Sequence, residues 1–102
     1  MLQNILVNAV KNRSLVAFAY DDKPRVVEPH AVGINKAGNL VVRGYQVGGE
    51  SATTRSSWKL FTVDKMEGLM PIDGDSQAPR EGYRMGDAVM VTILAQLETA
   101  EA

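Results

Sequence analysis

Five side chains in the middle of this chain have the chemistry to hold an anion and a flat ring: Arg25, His30, Arg43, Trp58 and Lys59. Guanidinium and ammonium groups on neighbouring strands grip phosphate oxygens, and Arg does so through two parallel N–H bonds. His30 adds a ring nitrogen whose charge changes near neutral pH. Tyr20, Tyr45 and Trp58 stand near these cations in sequence order. Exposed aromatics stack nucleobases, and Trp58, beside a polar run, is the best placed to do so. Each residue also has a plainer role. Arg25, Arg43 and Lys59 serve equally well as solvated strand residues paired with Glu28 or Asp64. A single His most often bonds backbone, and Tyr45 and Phe18 suit a core.

Other chemistries lack their residues. The chain has no cysteine, so there is no disulfide, thiol nucleophile or zinc cluster, and its one His is too few for a transition-metal site. Asp73-Gly74-Asp75 resembles a fragment of a calcium loop, but no Glu follows at the required distance. Gly44, Gly48 and Gly49 are not followed by a helix opening on Lys-Ser/Thr, so they form no phosphate loop. Ser51, Thr53, Thr54, Ser56 and Ser57 have no histidine in any triad order, and the acids are scattered over loops. The expectation is a non-catalytic binding protein with no cofactor and no metal. A net charge of −1 argues against sequence-independent nucleic-acid binding over the whole surface. Charge is uneven, however: residues 11–59 hold eight bases against four acids, and the last 39 residues hold eight acids against three bases. A basic middle faces an acidic tail.

These residues need elements to position them. At 102 residues the chain is one domain with 45% hydrophobic content, enough for one core. Leu2, Ile5, Leu6, Ala9 and Val10 form one apolar stripe, which predicts a short helix ending near Asn12. Leu15–Tyr20 reads as a strand, Asp21-Asp22-Lys23-Pro24 as a turn, and Arg25–Glu28 with Ala31–Ile34 as a second strand. Pro29 interrupts the ladder, so an edge or a bulge is expected there. Asn35–Gly38 is a hairpin turn. Asn39–Val47 is a third strand, Glu50–Ser56 a loose polar loop, and Trp58–Val63 a fourth strand; residues 64–70 add a last short one. Residues 71–85 read as a linker. In residues 86–102, Asp87 caps a final helix whose Val89, Met90, Ile93, Leu94 and Leu97 make a second stripe that packs on the barrel or on a second subunit. The fold class is mainly β with flanking helices: a small antiparallel barrel of four or five strands. No stretch has the leading bases of a signal peptide or the length of a membrane span, so a cytoplasmic protein with no membrane partner is expected.

The order of motifs is more specific than any one of them. Phe18-x-Tyr20 is followed by Arg25-x-x-x-Pro29-His30, then Gly38-Asn39-Leu40-Val41-Val42-Arg43-Gly44-Tyr45, then Lys59-x-Phe61-x-x-Asp64-Lys65-Met66. Over roughly residues 4–68 this resembles the WYL domain family, in a free-standing form. Leu40-Val41-Val42 stands where the family has Trp-Tyr-Leu, Lys59 where it has Arg, and Lys65-Met66 where it has Arg-Ile. The resemblance implies an Sm-like, SH3-like barrel with an N-terminal helix in residues 1–70, and a regulatory role in sensing a nucleotide or single-stranded nucleic acid. It further implies that Arg25, Arg43 and Lys59 converge on one face with His30 and Trp58 at its edge, and that a free-standing copy acts through a partner. The alternative is a protein-interaction or oligomerisation module, an accessory or inhibitor protein or a homodimer, with no nucleic-acid ligand.

Overall fold

A computed structural model describes residues 2–49 and 57–98, with the backbone alone for Ser57. The loop expected at Glu50–Ser56 and the last four residues of the expected helix lie outside the described residues. Leu6, Ala9 and Val10 bury one side of helix α1 (Leu2–Asn12). The helix ends in a tight cap: Arg13 adopts φ 55° while Ser14 N–H bonds Ala9 O and Arg13 N–H bonds Val10 O. Strand β1 (Leu15–Tyr20) turns into β2 (Lys23–Asn35) through Asp21 and Asp22 alone. Both take positive φ, 54° and 62°, which suits a two-residue turn between twisted strands. Pro24 thus lies within β2, opposite Ala19, rather than in the turn.

The remaining strands are β3 (Leu40–Gly49), β4 (Ser57–Thr62), β5 (Glu67–Ile72) and β6 (Met90–Gln96), with a single 3-10 turn at Val63–Lys65. All pair antiparallel in one sheet ordered β4-β3-β2-β1-β5, with β6 also on β2. β4 and β5 end the sheet and do not pair among the described residues, so the ladder is not closed into a barrel. Strand β2 holds this arrangement together. Lys23–Val27 pair with β1, Ala31–Asn35 pair with β6 on the edge where β1 has ended, and β3 follows β2 along the other edge. The ladder to β3 slips between Pro29 and Ala31. Proline cannot donate to a ladder, and a bulge is where a sheet accommodates it.

The core lies on one face. Leu6, Val10, Val16, Phe18, Val27, Val32, Val42, Phe61 and Leu97 form a single cluster. Phe18 and Tyr20 each meet the Phe61 ring edge-on, at centroid separations of 5.0 and 4.9 Å. A smaller cluster of Ala31, Val41 and Met90 packs where β6 crosses β2.

The C-terminal helix expected in residues 86–102 is not formed; Met90–Gln96 is strand β6. The stripe that suggested a helix, Val89, Met90, Ile93, Leu94 and Leu97, is interleaved with Val91 and Thr92, and the β-branched side chains of this stretch favour a pleated surface. A short free helix is marginal, whereas β2 offers an edge of unpaired N–H and C=O groups. Asp87 does not cap a helix. Its carboxylate accepts the Val89 N–H and its carbonyl the Met90 N–H, a turn that leads into the strand. Leu97 is buried as expected and Ile93 half so, but Val89 is exposed. The stretch read as a linker begins inside β5, and its later part lies across the sheet.

Candidate functional site

Strand alternation divides the five expected site residues between two faces. Arg25 points to the core side and is only 6% exposed. Its Nη1 donates to Gln46 Oε1 and its Nη2 to Tyr20 O, and its guanidinium lies over the Tyr20 and Phe61 rings. Lys59 shares the strand face of Phe61. Arg43 and Trp58 lie on the opposite face with Tyr45, and the bulge turns His30 to that side as well. The one-face convergence of Arg25, Arg43 and Lys59 is therefore not formed. His30, Arg43 and Trp58 do come together.

They meet beneath a strap, residues 76–88, that crosses β2, β3 and β4. Glu28 is fully buried, and Arg80 of the strap takes its carboxylate in a fork, Nε to Oε1 at 2.7 Å and Nη2 to Oε2 at 3.2 Å. Gln77 N–H adds a third bond to Glu28 Oε2, and the Arg80 guanidinium caps the Tyr45 ring at 4.7 Å. Burial pulls the Glu28 carboxyl upward, but Arg80, the Gln77 N–H and the nearby positive charge outweigh it and hold it below the usual carboxylate range.

His30 is also fully buried, and its tautomer follows from its neighbours. Arg80 N–H can only donate, so Nε2 accepts it at 3.0 Å. Glu28 O can only accept, so Nδ1 carries the proton and donates at 2.8 Å. Burial pushes this ring below the ordinary histidine value, against the pull of Glu28, so it is neutral at physiological pH. Trp58 packs edge-on against His30 at 4.6 Å and Tyr45 at 5.3 Å, and lies nearly parallel to Tyr83 of the strap. The Tyr83 hydroxyl donates to Leu97 O at 2.8 Å, which ties the strap to the end of β6.

At the far end of the strap, Arg43 Nε donates to Asp87 Oδ2 at 2.6 Å, with Nη2 and Oδ1 at 3.4 Å. Arg43 holds the Asp87 carboxyl below its usual range. The two ion pairs run in opposite senses: a strap base on a sheet acid, then a sheet base on a strap acid. Between strap and sheet lies a cleft of about 380 Å³ lined by Arg43, Trp58, Tyr83, Arg84 and Asp87. Its lining sets two guanidiniums, an indole and a phenol beside one carboxylate.

Glu28, Arg80, Tyr83 and Asp87 were not expected in the site. An arginine and a tyrosine inside a supposed linker were the one local signal, since a solvated connection has no use for either. An acid of the tail does meet a base of the middle, in the pair Arg43 and Asp87. No protein-family model, curated protein or solved structure matches the chain.

Proposed function

We propose that this chain is a non-catalytic, ligand-binding regulatory module of the WYL type, binding a nucleotide or short single strand at the cleft between β3, β4 and the strap. The observation that carries the reading is that Arg43 and Trp58, a guanidinium and an indole from adjacent strands, line one 380 Å³ cleft with Arg84. One cation engages phosphate oxygens while the ring presents a stacking surface. The strand order β5-β1-β2-β3-β4, a bent β2 and a 3-10 turn before β5 support the Sm-like form of the sheet. In this reading His30 shapes the floor of the site, and Arg25 braces the opposite face.

Trp58 is the only tryptophan, so its emission reports on the cleft directly. Adenosine monophosphate and hexathymidylate should quench it with micromolar affinity, with a log–log salt slope of about −0.7 per phosphate contact on the oligonucleotide. Arg43→Ala should abolish the response while the far-UV spectrum stays unchanged. A parent protein that responds to neither probe at about 50 mM salt, where phosphate contacts are strongest, sinks the reading. The protein-docking alternative would then stand on β6, which among the described residues pairs on one edge and presents Val91 at 67% exposure.

A further inference from the structure

The strap already places a carboxylate where a ligand anion would go. Resting on the reading just given, we propose that Asp87 is a built-in competitor: its carboxylate occupies the Arg43 guanidinium in place of a phosphate group, and ligand binding displaces that carboxylate from the fork.

Asp87 meets Arg43 edge-on, one oxygen on Nε and the other towards Nη2. A phosphate presents two oxygens to that edge in the same way, so the two are alternative partners for one fork. The strap's two attachments also differ in depth. The difference lies in the acids: at the Glu28–Arg80 end the arginine is 27% exposed, but the acid is 1% exposed and accepts three bonds. At the Arg43–Asp87 end the side chains are 28% and 10% exposed, and the pair forms a wall of the cleft itself. A solute in the cleft reaches the second pair and not the first. Tyr83 stays tied to Leu97 O and stacked on Trp58, and Gly86 N–H to Gln96 Oε1, so the attachment open to exchange is the Asp87 carboxylate itself. The strap thus has one attachment that a ligand anion can replace, the Asp87 carboxylate on Arg43.

The turn into β6 separates the roles of Asp87. Its Oδ1 accepts the Val89 N–H, which an uncharged amide or hydroxyl oxygen can also do, whereas competition for Arg43 needs the charge. Asp87→Asn and Asp87→Ser keep the turn and drop the competitor.

Trp58 emission would be titrated with inorganic phosphate, adenosine monophosphate and hexathymidylate in the parent and both variants. Both variants should bind adenosine monophosphate about fivefold more tightly than the parent, the worth of one partly exposed ion pair. Inorganic phosphate showing the same ratio assigns the exchange to the bare anion. A ratio confined to the nucleotide probes assigns it to anion and ring together. Either supports the proposal. A parent that binds with unchanged affinity in both variants overturns the competitor role and leaves the proposed function standing. Weaker binding in the variants overturns it too, because Asp87 would then be part of the ligand's own site. If neither parent nor variants bind any probe, the proposed function fails, and the competitor role with it. Urea midpoints of the variants, expected close to the parent's, separate lost binding from lost fold.

Discussion

Arg25 and Glu28 sit three residues apart on one strand, both buried, and their charges are compensated in different ways. Glu28 has a guanidinium and a backbone N–H, so its charge is matched. Arg25 has two neutral oxygens and two ring faces, and its buried Nε has no hydrogen-bond partner among the described residues. Its stem and plane nonetheless fill space beside Phe61, so it acts as a packing residue that carries a charge. Arg25→Ala should lower stability by roughly 2–3 kcal/mol, through lost packing and freed acceptors. Arg25→Met should cost less, since replacing a buried charge by an apolar group of similar length is often near neutral. Urea denaturation of the two variants checks the order; equal losses would show that the charge, not the volume, matters. The types of the site residues were legible in the sequence, and their partners were not. Arg43 meets Asp87 across 44 positions and Arg80 meets Glu28 across 52, and such pairings are set by topology rather than by local spacing.

At the scale of elements, strands with local partners were legible and the strand with a distant partner was not. Leu15–Tyr20 reads correctly from its β-branched and aromatic run, the Pro29 irregularity from proline's missing donor, and the Asn35 turn from a side chain that accepts the Ala37 and Asn39 N–H groups. Residues 90–96 carried a helical stripe and became β6, because the free edge of β2 sixty residues earlier decided the matter. Gly33 makes that crossing possible. A Cβ there would press on the Thr92 carbonyl and come within 2.7 Å of Met90 Sδ. Gly33→Ala should therefore weaken the β2–β6 pairing selectively. Amide exchange in β6 should quicken by an order of magnitude or more while β1 and β3 keep their protection, since local openings draw on local contacts. Uniform loss of protection would show that β6 is not a separable unit.

For the whole molecule, three groups make stability depend on pH in the same direction. His30, Glu28 and Asp87 all titrate lower in the folded state than in the unfolded chain. Between the two values the unfolded chain binds more protons, so stability rises with pH and is lost as pH falls. The contribution of His30 is complete above the ordinary histidine value of about 6.5 and declines below it; the carboxylates follow in the acid range. Protonated, His30 Nε2 would turn a donor towards the Arg80 N–H, with the Arg80 charge close by and Tyr83 and Trp58 packed over the ring. The urea midpoint should be level from pH 8 to about 7, then decline, and His30→Gln should remove the first part of that decline. A parent curve level down to pH 5 would refute it. The shared edge of β2 has a consequence for assembly. β1 reaches it across a two-residue turn, but β6 arrives 55 to 65 positions later, Asn35 pairing with Met90 and Ala31 with Gln96. Loop closure favours the near partner, so a folding chain passes through a stage in which Ala31–Asn35 stand as an open edge. β6 carries no charge to discourage a wrong pairing, and seventeen residues separate it from β5. The final step is a race between a chain's own β6 and that of a neighbour, and protein concentration during refolding sets the winner.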